Sequence, residues 1–271
     1  MKQFNTINDF DTFDIILDRL KKHKDGEKLY YVRFGDADIF IFYPEFLNKV
    51  VGRSNQFLVT PNLQQELYNS WNVVDDCYLV ATSLNLDSPE STDHGPKMHN
   101  RMRELMNSKV LTERYSFFSH PTFERNFVCK PEKFLEFSNL IYDKKKVWVN
   151  QFWHDNVEKI LGNVEHHVQT PSTNSYENID EWYSELLSVI DDVDIVILAS
   201  GFSSRVVAGR LWKDGINKIV IDIGSVADMF VANTDIFNKI KLRSSMHQHR
   251  HLILNSLDYL LWNTKRKTTI T

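Results

Sequence analysis

Short, almost unbroken apolar runs alternate along this chain with segments whose apolar residues recur at helical spacing, and no other feature constrains the fold as strongly. The runs are Leu29–Phe34, Cys77–Ala81, Lys146–Val149, Val164–Val168, Asp194–Ala199 and Lys218–Ile223. The segments between them include Asp180–Ile190 and Ser203–Lys213, and an opening helix is expected over Ile7–His23, with Phe10, Phe13, Ile16, Leu17 and Leu20 on one stripe. Strands apolar on both sides and alternating with helices predict a mostly parallel sheet covered on both faces, a Rossmann-like α/β fold. In such sheets ligands bind beyond the carboxyl ends of the strands, so the strand-to-helix turns are where chemistry is sought.

No repeat, low-complexity tract or Pro/Gly/Ser-rich linker interrupts the 271 residues, which predicts a single domain over 1–271 with its core over about 29–230. The hydrophobic share of 42% and charged share of 25% are those of a globular chain, and the aromatic share of 13% is accounted for first by the core. Cys77 and Cys129 have no CxxC partner and no secretory leader precedes them, so neither a disulfide framework nor a zinc site is expected, and the expected location is cytoplasmic. No apolar run approaches the roughly 20 residues that span a bilayer.

Net charge is −4, which suggests no nucleic-acid partner, but it is unevenly spread. From Lys239 onward seven basic residues face only Asp258, a balance of +6, leaving −10 on the rest. This basic segment, 239–271, also carries Leu252, Ile253, Leu254, Leu257, Leu260, Leu261 and Trp262 at helical spacing. It is read as a helix packing on the domain, with peripheral contact at the inner membrane surface as the alternative. His247, His249 and His251 in the same segment are read as surface residues.

The turn after the first apolar run reads Arg33, Phe34, Gly35, Asp36, Ala37, Asp38. Two carboxylates two residues apart beyond a buried strand suit Mg²⁺ or Mn²⁺, which take carboxylate oxygens together with substrate phosphates. Arg33 is placed to hydrogen-bond phosphate, and Gly35 allows close backbone approach. The same Asp-x-Asp spacing at Asp9–Asp11 and Asp192–Asp194 is read as a helix face and a connection, and helix capping is an alternative role for Asp36.

A second turn follows Ala199 with Ser200, Gly201, Phe202, Ser203 and Ser204, then a helix. A glycine and hydroxyls at a helix N-terminus can hold a diphosphate, or the serines can simply cap the helix. The spacing matches neither G-x-G-x-x-G nor the P-loop. Asp222, at the end of the run Lys218–Ile223, is a general-base or metal-organising candidate, or a turn-capping acid. Asp93 and His94 lie in a polar stretch and could deprotonate a substrate hydroxyl, or belong to a solvated loop and helix face.

Taken in order, these turns resemble the GT-D fold glycosyltransferases, a bacterial family first catalogued as a domain of unknown function. Arg33 to Asp38 stand where that family has Arg-Phe-Gly-Asp-Gly-Glu, and Asp38 takes the place of its metal-associated Glu. Ile195–Ala199, the Gly201–Phe202–Ser203 turn, the helix to Trp212, Gly215–Ile216–Asn217 and Asp222–Ile223–Gly224–Ser225 follow the family's later segments. Val147–Gln151 is similar to its central strand and Val164–Asn174 to its segment ending in Pro and Asn, so that the likeness runs over about 29–230. Ser225 replaces the family's His, and Ala227 and Asp228 depart from its acidic pattern, which supports the donor site better than the acceptor site.

The resemblance implies a glycosyltransferase that moves a sugar from a nucleotide diphosphate-sugar, a uridine diphosphate sugar in that family, to a glycan or glycoconjugate acceptor. Mn²⁺ or Mg²⁺ would sit on Asp36 and Asp38, diphosphate on Arg33, Gly35, Gly201, Ser203 and Ser204, and the nucleoside near Asn150 or Gln151. The competing readings are a Mg²⁺-dependent phosphohydrolase or nucleotidyltransferase, and a non-catalytic nucleotide-sugar-binding module.

Overall fold

The structure, a computed structural model, describes residues 5–35, 38, 59–82 and 116–230. Among the described residues eight strands form one sheet: β1 (Asn5–Thr6), β2 (Leu29–Phe34), β3 (Tyr78–Thr82), β4 (Ser116–Ser119), β5 (Lys146–Asn150), β6 (Val164–Gln169), β7 (Ile195–Leu198) and β8 (Ile219–Asp222). Their order is β1-β4-β3-β2-β8-β7-β5-β6, and every pairing between them is parallel. The expected architecture is therefore the observed one. Every residue of β2, β3, β5, β7 and β8 is buried, as their unbroken apolar runs require of strands covered on both faces, whereas edge strand β6 keeps Glu165 and Gln169 exposed.

The helices are α1 (Asp9–Lys22), α2 (Pro61–Trp71), α3 (Thr122–Cys129), α4 (Pro131–Ile141), α5 (Asp155–Leu161), α6 (Ile179–Val189), α7 (Phe202–Lys213) and α8 (Val226–Phe230). One face of the sheet packs on α1, α3, α4, α5 and α8 through Phe13, Phe123, Phe127, Phe134, Phe137 and Phe230. The other packs on α2, α6 and α7 through Tyr30, Trp71, Tyr78, Trp182 and Tyr183. The aromatic excess is thus largely spent in two cores, with edge-on pairs such as Phe13–Phe123 at 5.2 Å and Tyr30–Trp212 at 5.1 Å.

Helix α1 begins where its sequence dictates. The Asn8 side chain accepts from the N–H groups of Phe10 and Asp11 at 3.1 and 2.9 Å, and Asp9 and Asp11 sit in the first turn where the helix dipole favours acids. Strands β1 and β4 are not foreseen by periodicity, because two and four residues are too few to show a period. Among the described residues no helix is long and apolar enough to cross a membrane. The basic segment 239–271 lies outside the described residues, as do Asp36, Asp93 and His94.

The layer of α2, α6 and α7 is fastened by one clamp. Arg210 of α7 donates from Nε and Nη2 to the two oxygens of Glu66 at 2.7 and 3.1 Å, and from Nη1 to Asp180 at 2.6 Å. The Tyr176 hydroxyl donates to the same Glu66 carboxylate at 2.6 Å. A forked, partly buried arginine bound by two acids holds geometry that a surface pair does not. Arg210→Ala, which strands Glu66, is expected to lower stability by about 2 kcal/mol in urea unfolding, more than the conservative Glu66→Gln. Equal costs for the two variants would show that the fork carries no weight.

Candidate active site

The carboxyl ends of β2, β8, β7 and β5 converge on the two turns singled out by the sequence. At the first, Gly35 follows β2, and its N–H donates to Asp38 Oδ2 while the Asp38 N–H donates to Gly35 O at 3.2 Å. Asp38 thereby closes a tight turn by reaching back to a free backbone donor, and it is 1% exposed. Its other oxygen, Oδ1, lies 3.4 Å from Nε of Arg205.

Arg205, in the first turn of α7, organises the site, and the sequence reading passed over it. Its Nε donates to Arg33 O, its Nη1 donates to Gly201 O, and Nε also stands 3.9 Å from Asp222 Oδ2. One guanidinium therefore ties the ends of β2 and β8 to the Gly201 turn and faces both carboxylates. The available signal was positional: a cation in the first turn of a helix opposes the dipole, so it calls for an acid nearby.

Arg33, 2% exposed, is turned inward. Its Nη1 donates to Ile223 O, its Nη2 stands 3.3 Å and 3.4 Å from His120 Nδ1 and Nε2, and its Nε has no hydrogen-bond partner among the described residues. Asp222 Oδ1 accepts the Gly224 N–H at 2.9 Å, while Oδ2 makes no hydrogen bond among the described residues. Burial pushes the Asp222 carboxyl above the usual range, against the opposing pull of Arg205 and then Arg33. A carboxyl raised in this way holds its proton in the folded chain after the unfolded chain has lost it. Its contribution to stability therefore falls as pH rises through that window. Two buried carboxyl groups face two buried guanidinium groups here, so no ion of the cluster is isolated in the interior.

Beyond β7, Gly201 turns the chain with φ +66°, and α7 starts there with no side-chain cap among the described residues. Ser203 and Ser204 are 1% and 0% exposed, and their hydroxyls face inward. Ser204 Oγ accepts the Ser200 N–H at 2.8 Å, and Ser203 Oγ pairs with Ser175 Oγ at 2.7 Å. What this turn offers a ligand is backbone N–H from the uncapped first turn, reinforced by the helix dipole, rather than serine hydroxyls.

The helix after β7 leads back to β8 and the helix after β5 leads out to β6, so the crevice between the ends of β5 and β7 is a topological switch point. Asn150 stands in it, but its side chain latches the strands together. Nδ2 donates to Ala199 O at 3.2 Å, and Oδ1 accepts the Phe152 N–H at 3.2 Å. Gln151, half-buried, follows it. The structure thus brings Arg33, Gly35, Asp38, Asp222, Gly201, Ser203 and Ser204 to one edge of the sheet, with Asn150 and Gln151 beside them.

The described donor atoms do not fit a divalent cation. Asp38 and Asp222 share a guanidinium where an ion would have to sit, and each has an oxygen held by a backbone N–H. Among the described residues no group of three or more His, Cys, Asp or Glu side chains is placed to hold a metal.

No family model and no curated protein matches the sequence. Solved structures do. The chain is similar to a new glycosyltransferase (DUF1792) from Streptococcus sanguinis, with a TM-score of 0.61 at 17% identity over 89% of this chain and 88% of that one. A selenomethionine-substituted structure of domain of unknown function 1792 gives 0.59 at 15% identity, over 89% and 85% of the two chains. A third, of the same highly conserved domain and described as having a distinct glycosyltransferase fold, gives 0.58 at 16% identity over the same shares. The fold implied by the sequence resemblance is the fold observed: this chain has the α/β glycosyltransferase fold of the DUF1792 structures.

Proposed function

We propose that the protein transfers a sugar from a nucleotide diphosphate-sugar, a UDP-sugar by the family likeness, to a glycan or glycoconjugate acceptor. One observation carries the reading. The uncapped N-terminus of α7 is joined through Arg205 to Asp38 and Asp222, so an anion-binding turn lies beside paired, buried ionisable groups at the strand ends. In this proposal the diphosphate rests on the backbone N–H groups around Gly201, where the dipole and Arg205 favour the charge that develops as the sugar departs. Arg33 and Arg205 set the field, Asp38 and Asp222 hold them in place, and Asn150 fixes the floor of the nucleoside crevice next to Gln151.

Mn²⁺ or Mg²⁺ enters the proposal only through Asp36 together with the donor's own phosphate oxygens. A cation held there would neutralise charge on the leaving diphosphate.

The test is a thermal-shift series with UDP, UDP-sugars, ADP and inorganic phosphate, each with Mn²⁺ and with a chelator. A nucleoside diphosphate at about 100 times its Kd is expected to stabilise the protein by about 2.7 kcal/mol. No shift with any nucleoside diphosphate would end the proposal. Brisk phosphate release from UDP-sugars without an acceptor would favour the hydrolase, and binding without turnover the non-catalytic module.

A further inference from the structure

Sugar transfer needs a group to take the acceptor's proton, and the residues at the ends of β2 and β8 supply it poorly. Asp38 and Asp222 are each 1% exposed and committed to Arg205 and to backbone N–H groups. Ser225 is not a base at neutral pH, and Asp93 and His94 lie outside the described residues. His120 is different, since it is only half-buried at the carboxyl end of β4 and its ring reaches across to the end of β2.

Its placement is fixed on several sides. The His120 N–H donates to Thr82 O at 2.9 Å, at the end of β3. The preceding Ser119 is held by the Tyr31 hydroxyl, which donates to Ser119 O at 2.7 Å, and by Thr12 Oγ1, which accepts the Ser119 N–H at 3.0 Å. The imidazole lies against Gly35, where an added Cβ would stand 3.0 Å from Nε2, so the glycine makes room for the ring. Arg33 Nη2 is nearly equidistant from the two ring nitrogens. The guanidinium therefore lies against the ring. Other charges nearby are Asp38 across Gly35, Asp9 of α1, which accepts the Ser119 hydroxyl, and Arg125 of α3, which is 3.7 Å from Asp9.

We infer that His120 is the general base of the transfer, a catalytic residue touching the acceptor hydroxyl; this rests on the sugar-transfer reading above. The acceptor oxygen bonds to the anomeric carbon as the bond from that carbon to the diphosphate oxygen breaks. The bonding pair leaves with the nucleoside diphosphate, and the acceptor proton passes to an imidazole nitrogen of His120. The donor enters from the β7 side, where the Gly201 turn lies, and the acceptor from the β4 side.

The experiment measures UDP release from UDP-glucose, UDP-galactose and UDP-N-acetylglucosamine with water as the acceptor, from about pH 5 to about pH 8, the range in which histidine titrates. Wild type is expected to lose rate on the acid side. His120→Gln and His120→Ala should lose on the order of 10²-fold in rate, lose the acid limb, and keep the UDP thermal shift. Added imidazole should restore part of the His120→Ala rate. Variants that keep the wild-type rate, keep the acid limb, or lose rate only in step with UDP binding would overturn the inference. A wild-type chain that binds no UDP would remove the sugar-transfer reading itself and the inference with it, so the two failures are told apart.

Discussion

Arg205→Ala is expected to destabilise the fold by about 3–5 kcal/mol and to abolish nucleoside diphosphate binding. The size follows from what the substitution leaves behind. Asp38 and Asp222 are each 1% exposed, and alanine takes away the guanidinium that both carboxylates face while removing the donors to Arg33 O and Gly201 O. Breaking a buried pair from one side costs far more than the pair is worth against an apolar substitute, because the orphaned charge cannot be rehydrated. Arg205→Lys restores the charge but not the fork, so it should recover part of the stability and little of the binding. Adding Asp38→Asn and Asp222→Asn to Arg205→Ala should return much of the lost stability, since the stranded charges are then gone. Urea midpoints of the four proteins check this. An Arg205→Ala protein as stable as wild type would mean that the guanidinium is not the link between the two turns.

Which parts of this arrangement could be read from the sequence depends on how local each physical cause is. The central strands were legible because burial on both faces leaves an unbroken apolar run in each, as in Tyr30–Val32 and Ile195–Leu198. The turn at Gly201 was legible for the same reason, because a strand, a glycine and a helix start follow one another within a few residues. The roles within the turns were not. Asp38 matches a metal-ligand spacing, yet its oxygens face the Gly35 N–H and an arginine 167 positions along the chain, which no local pattern encodes. Ser203 and Ser204 carry hydroxyls suited to phosphate, but whether they face out or in is decided by Ser175 and Ser200. His120 gave no signal because β4 is four residues long and its contact with Arg33 spans 87 positions.

The second large effect is at Gly224, and it turns on two causes that can be separated. Gly224 has φ +52°, a conformation that costs a residue with a Cβ about 1–2 kcal/mol. An added Cβ would also stand 2.1 Å from Arg33 Nη1, so the guanidinium must leave its place on Ile223 O. Displacing a buried charged donor adds about 1.5–3 kcal/mol, which brings the expected cost of Gly224→Ala to about 2.5–5 kcal/mol. Gly201 supplies the control, since it has φ +66° but, among the described residues, nothing within 4 Å of an added Cβ. Gly201→Ala should therefore cost only about 1–3 kcal/mol of backbone strain. A double-mutant cycle isolates the clash: in an Arg33→Met background Gly224→Ala should fall to its backbone share, leaving an interaction of at least about 1 kcal/mol between the two sites. Strict additivity would place the whole penalty in the backbone, and Gly224 would then have no part in seating Arg33.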